Sequence, residues 1–290
     1  MILTPAYNAG FFVMGEILRI QIFETKPMLE YPPRVLYAGG SQRRIAFIEQ
    51  AFNRSEVASF PVGLEPDVNT IDVMRYKLGV GLESTPEGYF GAIIAADTRT
   101  SVPMIVGDTI CMADKGKPRN QHELYESFVN MQNVSEFTGE NPFYQVQSAS
   151  GLLHLNGKRV QLEDIHTCLV ALKKAGLQTL LTEEGFKKYL EEFAQFYSQP
   201  PYSTHNMKPI TPADLSGGLS LPVLTKMGIV QSVEGVDIGD NRFRDTLKHN
   251  IHVVAVGISP AILTSVQVDP QKAIYEWGWL DEVTDHALEK

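Results

Sequence analysis

The sequence predicts an α/β fold with a mixed central sheet flanked by helices. Three observations carry that expectation. Strand-like and helix-like periodicities interleave along the chain. The run Gly91-Ala92-Ile93-Ile94-Ala95-Ala96 is almost continuously apolar, which implies a strand buried on both faces. Asn156-Gly157 stands between two apolar runs, and that dipeptide supplies the positive φ values of a type I′ hairpin turn.

Taken in order, residues 1–33 read as an N-terminal extension ending in Tyr31-Pro32-Pro33, where prolines mark a boundary. Residues 34–290 read as one domain. Val35, Leu36 and Tyr37 form its first strand. Gly39 and Gly40 follow, then Ser41 as an N-cap, then Arg43 and Arg44. Ile45, Ile48 and Phe52 recur at helical spacing. Glu65-Pro66-Asp67 reads as a loop. Asn69 or Thr70 starts a helix with Ile71, Met74 and Leu78 inward and Lys77 off that stripe. The apolar strand from Gly91 ends in Asp97, a position where open α/β sheets place ligands. A polar loop with Gly116-Lys117-Pro118 leads to Asn120 and Glu123, a cap and its N3 partner, and a helix with Leu124, Phe128 and Met131 inward.

From Phe143 the pattern turns to strands, through the Asn156-Gly157 hairpin. Thr182 caps a helix carrying Phe186, Leu190, Phe193 and Tyr197, and Pro200-Pro201 stops it. Residues 202–250, rich in Gly, Asp and Asn, give no clear assignment. His252 to Ile258 reads as a strand, and the chain from Pro270 as a helix.

Composition narrows the function classes. With 43% hydrophobic and 20% charged residues, the 290-residue chain is ordinary for a globular protein. A formal net charge of −9 argues against broad binding to a nucleic-acid polymer, where a basic face supplies most of the affinity. Cys111 and Cys168 give neither a disulfide framework nor metal-ligand spacing, and their apolar neighbours predict two reduced core thiols. The apolar patch Phe11 to Met14 has no basic residue before it and is interrupted by Glu16 and Arg19. It reads as neither a secretory signal nor a membrane span, so a cytoplasmic location with no membrane partner is the expectation. The histidines show no HExxH or paired ligand spacing, and there is no Walker A, GxGxxG or GxSxG sequence.

The segment Arg34 to Arg44 turns a strand into a helix N-terminus bearing free N–H groups, a hydroxyl and two guanidiniums. That set suits phosphate. The plainer alternative is a capped surface helix with two solvated arginines.

Several separated segments, in order across roughly residues 34–266, resemble the Maf-like nucleoside triphosphate pyrophosphatases of the inosine triphosphatase-like fold. Leu36 to Ile48 resembles the motif LASxSPRRxxLL, retaining Ala38, Ser41, Arg43 and Arg44. Glu65 falls where the family has an acidic residue. Met74 to Leu78 stands for the lysine helix, Ala95-Ala96-Asp97-Thr98 for GADT, and Gly116-Lys117-Pro118 matches GKP. Leu181 to Leu190 and Val254 to Pro260 resemble two later segments. Gly39 and Gln42 depart from the first motif. The tyrosine and glutamine of the family's AGAYGIQG segment are not evident near Asp214 to Pro222.

The resemblance implies a deep nucleotide-binding cleft and a hydrolase acting on phosphoric anhydride bonds. Its reaction would convert a nucleoside triphosphate, non-canonical or pyrimidine in type, to the monophosphate and pyrophosphate with Mg²⁺ (or Mn²⁺). Ser41, Arg43 and Arg44 would bind substrate. Lys77 and Lys117 would stabilise developing charge. Glu65 and Asp97 would hold the metal, with Asp97 as ligand or general base. A homodimer is compatible with it. The altered segment near Asp214 to Pro222 favours the alternative of a catalytically weak or inactive nucleotide-binding regulatory protein.

Overall fold

A computed structural model of the chain describes residues 34–51, 57–62, 69–86, 89–114, 118, 120–155, 160–198, 220–235 and 256–266. The strands are β1 (Val35–Ala38), β2 (Val57–Phe60), β3 (Ala92–Val106), β4 (Thr109–Asp114), β5 (Phe143–His154), β6 (Val160–Leu172) and β7 (Val230–Gly235). The helices are α1 (Gln42–Ala51), α2 (Thr70–Glu83), α3 (Gln121–Thr138), α4 (Lys174–Leu180), α5 (Glu183–Tyr197), α6 (Ser220–Lys226) and α7 (Pro260–Ser265).

All seven strands join one mixed sheet in the order β2-β1-β3-β5-β6-β7, with β4 paired to β3. β1 lies parallel to both β2 and β3, with α2 crossing between the outer two. This parallel corner is where an apolar strand buried on both faces belongs, and β1 is buried throughout. The remaining pairings are antiparallel.

Side chains of β3 alternate between two cores. Ala92, Ile94 and Ala96 join α1, α3 and α5 on one face through Phe47, Phe128 and Phe193. Ile93 and Ala95 join α2 on the other through Met74 and Leu78. Gly151 has no side chain where Met74 and Leu78 close on the sheet; a Cβ there would collide with both.

The helix caps follow the sequence signals. Asn69 accepts from the Asp72 N–H, Asn120 from Glu123 and Thr182 from Gly185. β5 and β6 pair as the hairpin signal predicts, from Phe143↔Ala171 to His154↔Val160; the turn itself lies outside the described residues.

Three expectations are corrected. The strand does not stop at Asp97. It runs on to Val106 and returns as β4 around Gly107, at φ 66°. The polar stretch Asp97 to Thr100 breaks the apolar pattern, but β5 pairs straight through it and holds it extended. Cys111 is exposed on β4, while Cys168 is buried in the core. Burial pushes the Cys168 thiol up to about 12. Residues 256–258 are not in a strand but lead into α7, which Ser259 caps from the position before Pro260. The N-terminal extension, His252 and the chain from Pro270 lie outside the described residues. No helix among the described residues is long and apolar enough to cross a membrane.

Candidate functional site

A gap in the sheet builds the site. β5 occupies one edge of β3 from Ala92 to Ser101. β1 takes the opposite edge only at Ala92 to Ile94, and β4 only from Ser101 onward. Residues 95–100 therefore have no strand on that edge among the described residues. A backbone carbonyl aimed into such a gap needs another donor.

Two cations supply it. Arg44 Nη1 and Lys77 Nζ each donate to the Ala96 carbonyl at 3.3 Å. They arrive from opposite faces of the sheet, Arg44 on α1 and Lys77 on α2. The pleat then continues the alternation of β3, so Asp97 points to the α2 side and Thr98 to the α1 side. Lys77 Nζ donates to Asp97 Oδ1 at 3.0 Å, with both side chains almost wholly buried. Arg99 Nε stands 3.9 Å from Asp97 Oδ2, too far for a hydrogen bond but close enough to add positive potential.

Lys77 corrects the sequence reading. It is not off the buried stripe: Thr70, Met74, Lys77, Leu78 and Gly81 all face the sheet. A lysine scores as polar in any hydrophobic periodicity, so the pattern hides it. The Asp97 carboxylate at the opposing strand position, with the Ala96 carbonyl, compensates its burial.

Arg44 is committed to the fold. Its Nη2 donates to Thr98 Oγ1 at 2.6 Å and its Nε to the Val256 carbonyl at 2.6 Å. Three of its five donors thus serve protein oxygens. Among the described residues, these bonds leave two of its N–H positions for another acceptor. Gly257, at φ 73°, lies directly against this cluster; a Cβ there would stand 2.8 Å from Arg44 Nη2 and collide with Thr98 Oγ1.

No family model matches the chain. No curated protein matches it either. The site's chemistry therefore rests on its own geometry.

The other expected site residues are placed as follows. Ser41 opens α1, and its carbonyl accepts from the Ile45 N–H at 3.0 Å. The side chain of Arg43, and all of Glu65 and Lys117, lie outside the described residues. Among the described residues, no group of three or more His, Cys, Asp or Glu side chains could hold a metal ion. Among the described residues, Asp97 brings a carboxylate to the gap. That donor type fits Mg²⁺, which is bound through one or two carboxylates plus phosphates and water rather than in a full protein cage.

Several polar residues near the gap carry no motif. Thr98 Oγ1 lies 3.4 Å from Ser148 Oγ on β5. The Thr100 hydroxyl is buried with no hydrogen-bond partner among the described residues. The Ser259 N–H donates to Ser150 Oγ at 3.1 Å, and the Ser259 hydroxyl accepts from the Ile262 N–H. Alternate serines within the apolar strand Phe143–His154 were the available signal, since a buried strand hydroxyl must find a partner.

Proposed function

We propose that this chain hydrolyses a nucleoside triphosphate to its monophosphate and pyrophosphate, within a Maf-like fold whose deep cleft opens along the β3 gap. The observation that carries the reading is the convergence of Arg44, Lys77 and Asp97 on Ala96 to Thr98, at an edge vacated by β1. These are the residues that the motif resemblance singles out, and they arrive from three separate elements.

In this reading the protein's task is positioning and charge compensation. Lys77, Arg44 and Arg99 give the gap a positive potential on both sheet faces. That potential favours a polyphosphate and its developing charge. The two Arg44 donors that no described residue takes up would bind phosphate oxygens, with α1's first turn beside them. Asp97, with Glu65, would hold Mg²⁺ or Mn²⁺; bound there, the cation offsets phosphate charge and supplies ordered water. Asp97 serves either as that ligand or as the acceptor of a proton from water. The Lys77 ammonium, 3.0 Å from Asp97 Oδ1, holds that carboxyl in place for both roles.

The second reading, a nucleotide-binding regulatory protein with weak or no turnover, draws support from the same ion pair. Lys77 already neutralises Asp97 inside the fold. Ser220 to Pro222, at the altered segment, are buried in the core rather than turned to solvent.

Pyrophosphate release from a panel of nucleoside triphosphates with Mg²⁺ tests the enzyme. Turnover of at least one non-canonical or pyrimidine triphosphate supports it. Saturable nucleotide binding with no pyrophosphate favours the regulatory reading.

A further inference from the structure

Tyr37 is the third residue of β1, and its side chain joins the core on the α1 face of the sheet. That side chain is wholly buried, yet its hydroxyl has no hydrogen-bond partner among the described residues. A phenylalanine would fill the same space without burying an unpaired hydroxyl, which costs free energy. The group calls for a partner that the described fold does not supply.

The hydroxyl lies against the turn from β1 into α1. A Cβ on Gly39 would stand 2.9 Å from Tyr37 Oη and 3.0 Å from the ring carbons beside it. Residues 37 and 39 share a face, so the phenol leans along the strand toward the turn. Any side chain at position 39 would drive it away. The Gly39 N–H is spent on the Phe60 carbonyl at 2.8 Å, which ties the start of the turn to β2. Gly40 is exposed, and a Cβ on it would meet only Pro61, at 3.9 Å. The two glycines thus place no side chain over the hydroxyl. Beyond them, the Ser41 carbonyl accepts from the Ile45 N–H at 3.0 Å, so the amides of α1's first turn have no acceptor within the helix. No acidic residue stands in that first turn to offset the positive end of the helix dipole.

We propose that Tyr37 Oη is a buried donor for an anion seated at the β1–α1 turn, a phosphate or phosphoryl group, whose other oxygens take the α1 amides. The phenol donates its O–H to a phosphate oxygen. The ligand reaches it by displacing the Gly39–Gly40 backbone, which lacks side chains and tolerates the change of conformation. The inference rests on the reading that this turn takes phosphate, and is independent of whether that phosphate is hydrolysed.

The test is Tyr37→Phe in the full chain, titrated with inorganic pyrophosphate. Calorimetry gives the affinity, and the Gly40 and Ser41 amide signals in NMR spectra give the place of binding. A hydrogen bond to a charged acceptor corresponds to about a tenfold or larger change in affinity. The parent should bind pyrophosphate with both amides shifted. Tyr37→Phe should bind about tenfold or more weakly, while its ligand-free form unfolds at a urea midpoint no lower than the parent's. A hydroxyl that served only the fold would do the reverse, lowering the midpoint and leaving the affinity alone. Binding by Tyr37→Phe within about twofold of the parent would overturn the role of Tyr37 and leave the turn as an anion site. A parent in which pyrophosphate shifts neither amide would overturn the phosphate reading of the turn, and the role of Tyr37 with it.

Discussion

Lys77 Nζ lies 3.0 Å from Asp97 Oδ1, and the two side chains are buried together between α2 and β3. The pair is held by the fold before any ligand arrives. Removing one charge leaves the other facing a low-dielectric interior, so the two residues carry stability as well as any chemistry. Asp97→Asn is expected to cost about 3–5 kcal/mol, the usual range for breaking a buried pair. Lys77→Met combined with Asp97→Asn removes both charges and should recover part of that loss. Urea unfolding of the single and double variants measures it; a double variant less stable than Asp97→Asn would contradict the pairing.

Arg44→Ala should destabilise the chain rather than affect ligand binding alone. It strips a donor from the Ala96 and Val256 carbonyls at once. An abandoned buried acceptor costs about 1–3 kcal/mol. An unfolding midpoint within error of the parent would return Arg44 to the role of a solvated arginine.

Two glycine substitutions should act in opposite directions. Gly257→Ala meets both a positive φ and a collision with Thr98 and Arg44. Overpacking of that kind costs about 1–3 kcal/mol, beyond the backbone strain. Gly79 sits mid-helix on α2 with nothing within 4 Å of a new Cβ. Gly79→Ala should add about 0.5–1 kcal/mol. Thermal unfolding of both variants checks the contrast.

Acid sensitivity should trace to two neighbouring carboxylates on β6. Burial alone would raise Asp164, but the hydrogen bond and charge of His166 and the Ser259 hydroxyl outweigh it and hold it below the usual range. Arg75's hydrogen bond, against some burial, holds Glu163 low. A depressed carboxylate contributes stability that is complete above its unfolded value, about 4 for either residue. That contribution is lost as the pH falls through the lower folded value. Stability measured between roughly pH 6 and pH 2.5 should fall less steeply in Asp164→Asn than in the parent. Parallel curves would remove Asp164 from the acid limb.

Local features were readable from the sequence because their causes are local. Asn69, Asn120 and Thr182 cap their helices by their own side chains. The apolar run at Gly91 is a strand buried on both faces, because β3 packs between two cores. What escaped depends on tertiary neighbours. The extension of β3 past Asp97 requires β5 beside it, which no run of four polar residues announces. Lys77 is buried against Asp97 and the Ala96 carbonyl, which lie on another element. The partners of Arg44 lie 52, 54 and 212 residues away, and a motif records the arginine but not what it binds.

Asp97, backed by Lys77, is proposed to carry phosphoanhydride hydrolysis at the β3 gap. Its most direct test is pyrophosphate release by Asp97→Asn and by the Lys77→Met/Asp97→Asn double variant, at saturating Mg²⁺ and nucleotide, with circular dichroism confirming the fold. Loss of a general base typically costs about 10²–10⁴-fold in rate, and loss of the metal should cost more. The folded double variant should bind nucleotide and release pyrophosphate at least about a hundredfold more slowly than the parent. Turnover near the parent rate by either folded variant would contradict it.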